Sequence, residues 1–363
     1  MNRKLQQILF FAFAVVYGLA IRIRNSLFDS GMLKSTSFDL PVISAGNLTV
    51  GGTGKTPHIE YLVRLLKDQY NISVLSRGYK RETRNFQFVE TDSTVPDTGD
   101  ESLQLKRKHP EITVAVDRDR VKGVKQILAR KPETDIILLD DAFQHRYIKP
   151  GLNILLIDYN RPIYRDYLLP AGRLRESRSS VKRADIVILS KAPDYLSSEE
   201  LEQLKEKIKL SPEQKFFCTG IKYDHPREIF NTDKKENIEK LADKMGKALL
   251  VTGIADPSPL IKYLNGFGFQ LNHLRYRDHH NYNDRDCKRI IESYGSLPKG
   301  ERCLLTTEKD AIRLVDKLRE NDLPDSNFFM IGININLMHN AKEDFDKYIL
   351  DYVKNNRRNG NLS

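Results

Sequence analysis

Short runs of consecutive apolar residues alternate along the chain with stretches of helical spacing. Residues 41–44, 72–76, 112–116, 136–139, 154–158 and 186–190 each read as a short buried strand. Between the first two, Ile59, Leu62, Val63, Leu65 and Leu66 recur at the period of one helix face. Strands alternating with helices predict an α/β fold, a parallel sheet covered by helices on both faces. A charged helix is expected over 194–213, followed by an extended segment, 215–219, expected to connect two lobes. A second, smaller α/β block then repeats the logic, with strands at 248–251, 269–276, 303–307 and 328–335 and a helix at 260–264. At 363 residues the chain has room for about two domains. The expected division is 1–25 as a membrane-associated helix, 26–214 as the first α/β domain, 215–345 as the second lobe with its connecting strands, and 346–363 as a tail.

The N-terminus departs from this alternation. Residues 8–21 are nearly all apolar, with Arg3 and Lys4 before them and Arg22 and Arg24 after. A run of about 14 residues is short of the roughly 20 that span a bilayer. The expected role is an uncleaved helix dipping into the inner leaflet with its arginines among the headgroups. A buried core helix is the competing reading.

Candidate chemistry begins where the first strand ends. The stretch GNLTVGGTGKTP, 46–57, leads from that strand into a helix, which is the context a phosphate-binding loop requires. Gly51, Gly52, Thr53 and Gly54 let backbone N–H groups converge on an oxyanion, and the helix start adds its positive dipole end. Lys55 is placed to reach the outer phosphates, and Thr56 to set its hydroxyl on Mg²⁺. The usual pattern has a glycine where Thr49 stands. Downstream, 136–139 runs into Asp140 and Asp141, in the manner of a Walker B strand that brings an acid beside Mg²⁺. Two adjacent carboxylates repel, and so call for a cation.

Other polar groups sit where open α/β sheets bind ligands, just past strand ends. Arg77 and Tyr79 follow the second strand, against the plainer reading of a basic loop. Asp100 and Glu101 open a helix, either as caps or as carboxylates aimed at phosphates, through metal or as general base. The loop 168–176, containing Arg175, is a candidate anion clamp or a solvated turn. Asp278, His279 and His280 lack metal-ligand spacing, and an Asp/His pair for proton transfer is the more economical reading.

Composition narrows the partners. Net charge is +10, which suits an anionic ligand or surface. The basic residues are dispersed and no aromatic-interleaved basic tract occurs, so no nucleic-acid partner is expected. Three cysteines, odd in number and outside metal spacing, fit a reducing compartment without a disulfide framework.

In order, the chain carries GNLTVGGTGKTP, LSRGYKR, GDE, DDAFQH, LLPAGRLRE, VTGIADP, RDHHNY and TTEKDAIRL behind a membrane-type helix. This series resembles the tetraacyldisaccharide 4′-kinase family of the lipid A pathway in Gram-negative bacteria, over roughly residues 1–335. The resemblance implies two α/β lobes joined by a short connecting sheet. It implies transfer of the ATP γ-phosphate to the 4′-hydroxyl of an acylated glucosamine disaccharide 1-phosphate, giving lipid IVA, at the cytoplasmic face of the inner membrane. Carried over by motif, Asp100 is the general base and His279 its dyad partner. Lys55 and Thr56 hold phosphates and Mg²⁺. Glu101, Asp140 and Asp141 manage the metal and its waters, Arg175 contacts phosphate, and Tyr79 lies by the cleft. The runner-up is a membrane-associated P-loop ATPase switch of the division or partitioning type, whose signature lysine is replaced here by Val50.

Overall fold

The strand Val42–Asn47 (β1) is buried at every position and forms the middle of a large sheet. The computed structural model describes residues 3–231, 233–320 and 327–356. Around β1 are Ile72–Ser76 (β2), Gln87–Phe88 (β3), Thr113–Val116 (β4), Ile136–Asp140 (β5), Leu152–Asp158 (β6), Ile186–Ser190 (β7) and Lys215–Tyr223 (β8). A second sheet contains Arg227–Glu228 (β9), Lys247–Thr252 (β10), Gln270–Arg275 (β11), Arg302–Thr307 (β12) and Phe328–Ile331 (β13), after which Ile333–Leu337 (β14) rejoins the first.

The order in the first sheet is β14-β8-β7-β6-β1-β5-β2-β4-β3. Every pairing from β8 to β4 is parallel, and the short β3 runs antiparallel to its neighbour β4. Strands β2, β5, β6 and β7 are buried almost throughout, as apolar runs in a sheet covered on both faces must be. The chain moves to one side of β1 to make β2 and β5, then to the other side to make β6. This reversal creates a switch point at the carboxyl end of β1, where such sheets bind ligands.

The chain divides into two compact units. The first holds residues 1–98, 105–221 and 335–363, and the second holds 99–104 and 222–334. The second sheet, ordered β11-β10-β12-β13-β9, is parallel except for β9 and has its own core around Leu249, Val251, Leu304 and Leu314.

Three segments differ from the sequence reading. The expected single strand 328–335 is two strands in different sheets, divided at Gly332, where a Cβ would come within 3.0 Å of Asp224 Oδ2. The expected tail 346–363 is helical as far as it is described, in the helix Lys342–Asn356, and residues 357–363 lie outside the described residues. Phe345, Ile349 and Val353 at i, i+4 and i+8 bury this helix against the first unit, with Phe345 edge-on to Phe217 at 5.0 Å. The N-terminal helix runs from Arg3 to Asp29, well beyond the 14-residue apolar run. Its window Phe10–Asp29 is long and apolar enough to cross a membrane, with only 6% of the window buried. That exposure removes the core-helix alternative.

Candidate active site

In the first unit the loop after β1 is shaped by two glycines in left-handed backbone, Gly51 (φ 106°) and Gly54 (φ 85°). The helix Lys55–Leu66 starts directly after Gly54, so its unpaired N–H groups open onto the loop. Buried groups hold the loop from behind. Asn47 Nδ2 donates to Thr53 Oγ1 at 2.8 Å, and Ser190 Oγ donates to the Thr53 carbonyl at 2.8 Å. Lys191, at the end of β7, donates to the Gly52 carbonyl and pairs with Asp158 at 2.7 Å. His58, buried on the helix, contacts the Gly54 carbonyl at 2.7 Å and Thr219 Oγ1 at 3.0 Å, and burial pulls its imidazole down to about 4.

The paired acids arrive from the neighbouring strand. Register sets Asp140 beside Ala45 of β1. Asp141 follows in left-handed backbone, φ 48°, which turns its carboxylate away from the strand. Lys55 Nζ lies 3.8 Å from Asp141 Oδ1, and Arg175 grips both oxygens, at 2.8 and 3.2 Å. Burial alone would raise this carboxyl, but Lys55, Arg175 and Arg120 outweigh it and hold Asp141 well below the usual carboxylate range. Arg175 also donates to Asn47, and its backbone N–H bonds the Leu48 carbonyl at 2.7 Å, so the loop 173–175 is stitched to the phosphate loop. Arg120, almost wholly buried, donates to the carbonyls of Asp117 at 2.7 Å and Asp140 at 3.0 Å.

Asp141 and Arg175 also line a cavity of about 180 Å³ with Tyr17, Ile21, Arg24, Arg77, Gln144, His145 and Glu176. Burial, helped by Arg120 and Arg77, lowers His145 to about 4, so the cavity presents a neutral imidazole among cationic groups. Arg77 is exposed at its rim, and Tyr79 is 57% exposed. Thr56 is half-buried in the first turn of the helix.

The second unit holds a separate constellation. Asp100, 4% exposed, begins the helix Asp100–Lys108. Its Oδ2 lies 2.9 Å from His279 Nδ1 and accepts from Arg313. Lys309 Nζ lies 2.8 Å from His279 Nε2 and 3.4 Å from Glu101. Arg313 also lies 3.1 Å from Nδ1, so a cation faces each ring nitrogen of His279. His279 sits in left-handed backbone, φ 55°, with its N–H on the Gly253 carbonyl at 3.1 Å. Beneath it, fully buried Asp310 accepts from Gly253 N–H at 2.9 Å and Thr307 Oγ1 at 2.7 Å, and lies 3.7 Å from Arg313.

Of the residues singled out in the sequence, the fold gathers Gly51–Thr56, Asp140, Asp141, Arg175 and Arg77 in the first unit. It gathers Asp100, Glu101 and His279 in the second. Sequence reasoning missed Arg313, Lys309, Arg120, Lys191 and His145. The first two lie in TTEKDAIRL, where they fall one helical turn apart, four residues from each other. Arg120 and Lys191 each follow the end of a buried strand. His145 closes DDAFQH. The donors near the phosphate loop, a hydroxyl and two carboxylates, form an all-oxygen set of the kind Mg²⁺ prefers. Among the described residues no three His, Cys, Asp or Glu converge as a metal cage.

The chain is similar to known proteins over nearly its whole length. Residues 6–354 match the family model described as tetraacyldisaccharide-1-P 4′-kinase. The tetraacyldisaccharide 4′-kinase of Phocaeicola vulgatus is 43% identical over 350 residues, covering 96% of this chain and 95% of that one. The enzyme of that name from Flavobacterium johnsoniae is 44% identical over 346 residues, covering 95% and 97%. Among solved structures, LpxK from Aquifex aeolicus in complex with ATP superposes with a TM-score of 0.73 at 29% identity, covering 94% of this chain and 98% of that chain.

Proposed function

Because the chain belongs to the tetraacyldisaccharide-1-P 4′-kinase family, we propose that it moves the γ-phosphoryl group of ATP to the 4′-hydroxyl of tetraacyldisaccharide 1-phosphate. The products are ADP and lipid IVA, a step of lipid A biosynthesis. The alternative of a division-type ATPase switch is not favoured, since the likeness to kinases runs through both units.

The observation that carries this reading is the convergence of Lys55 and Arg175 on Asp141 beside the glycine-lined loop. Backbone N–H groups of 51–56 and the Lys55 ammonium would cradle the β- and γ-phosphates. Thr56 and the acids Asp140 and Asp141 would hold Mg²⁺, with Glu101 a further candidate for its waters. The ion, when bound, neutralises charge on the phosphates. Arg175 would meet charge on the transferring group. Arg77 and Tyr79 would meet the sugar substrate.

In the second unit Asp100 would take the acceptor proton. The 4′-oxygen attacks phosphorus as its proton passes to Asp100, and the bond from phosphorus to the bridging oxygen of ADP breaks. His279, 2.9 Å from Asp100 through Nδ1 and 2.8 Å from Lys309 through Nε2, would orient the carboxylate. Arg313 pairs with Asp100 as its counterion. The division of labour is thus nucleotide in the first unit and general base in the second.

The exposed apolar face of the N-terminal helix supports association with the cytoplasmic face of the inner membrane, where an acylated substrate resides. The test supplies the purified protein with γ-labelled ATP, Mg²⁺ and tetraacyldisaccharide 1-phosphate in mixed micelles. Label should appear in the lipid, one phosphate per ATP consumed. ATP hydrolysis without lipid labelling would refute the proposal.

A further inference from the structure

Three consecutive carbonyls of the phosphate loop are held by side chains from outside it. Lys191 Nζ donates to the Gly52 carbonyl, Ser190 Oγ to the Thr53 carbonyl at 2.8 Å, and His58 Nδ1 to the Gly54 carbonyl at 2.7 Å. A carbonyl oxygen only accepts, so His58 carries a proton on Nδ1. Burial keeps the ring neutral, which leaves Nε2 to accept from Thr219 Oγ1 at 3.0 Å.

The anchors are themselves fixed. Ser190 is buried at the end of β7, and Lys191 follows in left-handed backbone, φ 57°. The Lys191 ammonium is paired at 2.7 Å with Asp158, buried at the end of β6. Asp158 also accepts from the Asn160 N–H at 2.9 Å, which holds the carboxylate in place. His58 is buried on the helix that the loop leads into.

In a trans peptide the carbonyl and the following N–H point in opposite directions. Tying back the carbonyls of residues 52, 53 and 54 therefore turns the N–H groups of Thr53, Gly54 and Lys55 away from the anchors, toward the open side of the loop. Donors grouped in this way at a helix start converge on a phosphate. A loop free to flip these peptides would be competent for only part of the time, and its apparent affinity would fall by that fraction.

We propose that Lys191, Ser190 and His58 are positioning residues for the nucleotide, which preset the N–H cradle before ATP arrives. Lys191 contributes most, because a charge-assisted bond is roughly twice as strong as a neutral one. With its charge met by Asp158, it acts through the loop and not as a phosphate ligand. The inference rests on the phosphate-binding role proposed above for residues 51–56.

The test titrates the full-length protein with the non-hydrolysable analogue AMP-PNP and Mg²⁺, without lipid. Lys191→Met should weaken binding about tenfold, as competent loops fall to about one in ten. Affinity equal to the parent's would overturn the inference. Because Lys191→Met also strands the buried Asp158, the double variant Lys191→Met/Asp158→Asn is measured beside it. The double variant should regain thermal stability yet bind as weakly as the single one. Recovery of affinity along with stability would mean that the lysine serves the fold alone, and would also overturn the inference. In nucleotide-free protein, amide hydrogen exchange over 52–56 should be faster in both variants than in the parent. Unchanged exchange beside weakened binding would make Lys191 a direct phosphate ligand and refute the presetting. Failure of the parent itself to bind AMP-PNP would remove the nucleotide from the loop, and this inference with it.

Discussion

Asp141 in the first unit and Asp100 in the second are both gripped by an arginine, yet their surroundings differ. Asp141 stands on a left-handed turn with its side chain one-third exposed, facing Lys55 and Arg175. Asp100 is nearly sealed, and its partners are one histidine and one equally buried arginine. An exposed carboxylate among cations suits an ion and phosphates that come and go. A sealed one with an imidazole beside it suits a single proton transfer. The two also differ in origin. Asp141 meets Lys55 because two neighbouring parallel strands end together. Asp100 meets His279 and Arg313 across 179 and 213 residues of chain.

The contrast can be broken most severely at the base. Asp100→Asn keeps the shape and should lower kcat by about 10²–10⁴-fold, with KM for ATP little changed. A rise in KM for ATP at normal kcat would place Asp100 with the nucleotide instead. On the other side, Lys55→Ala should cost about 10²–10³ in kcat/KM, the scale of one lost charge-stabilising donor. Near-normal turnover in a folded Lys55→Ala protein would remove the lysine from the phosphates.

Stability separates the two carboxylates further. Arg313→Met strands Asp100 in a buried site, which should destabilise by about 3–5 kcal/mol. Adding Asp100→Asn should restore much of that stability in urea unfolding without restoring activity. If the double variant is as unstable as the single one, Arg313 acts by packing and not as a counterion.

The smallest expected effect lies behind the phosphate loop. His58 is depressed to about 4 by burial, so the unfolded chain binds a proton between about pH 6.5 and 4 that the folded protein refuses. Its contribution is full above pH 6.5 and is lost as pH falls through that window, amounting to about 3 kcal/mol. His58→Gln should therefore flatten the fall in stability between pH 7 and pH 4.5. An unchanged slope would mean that other groups set the acid limit.

Much of the first unit was legible because its determinants are contiguous. The expected strands 72–76 and 186–190 are those observed, since uninterrupted apolar runs between charged helices have few other ways to be buried. The phosphate loop and the Asp140–Asp141 pair were readable as strings for the same reason. In the second unit the Asp100–His279 pairing rested on family resemblance, while spacing alone left Asp100 open to a capping role. Arg313 lies one turn from Lys309 in TTEKDAIRL, but an arginine in an amphipathic helix reads as solvated until the opposite wall is known.

The sequence by itself determined which segments become strands and helices, where the glycine-lined loop and the paired acids fall, and that an apolar helix stands before them. Those outcomes depend on side-chain period, glycine freedom and charge within a few residues. Only the tertiary structure decided that 328–335 divides between two sheets, that 342–356 covers the first unit, and that the leading helix is bound along its flank. Each of these turns on which surface waits to receive the segment, and that surface is assembled from residues far away in the chain.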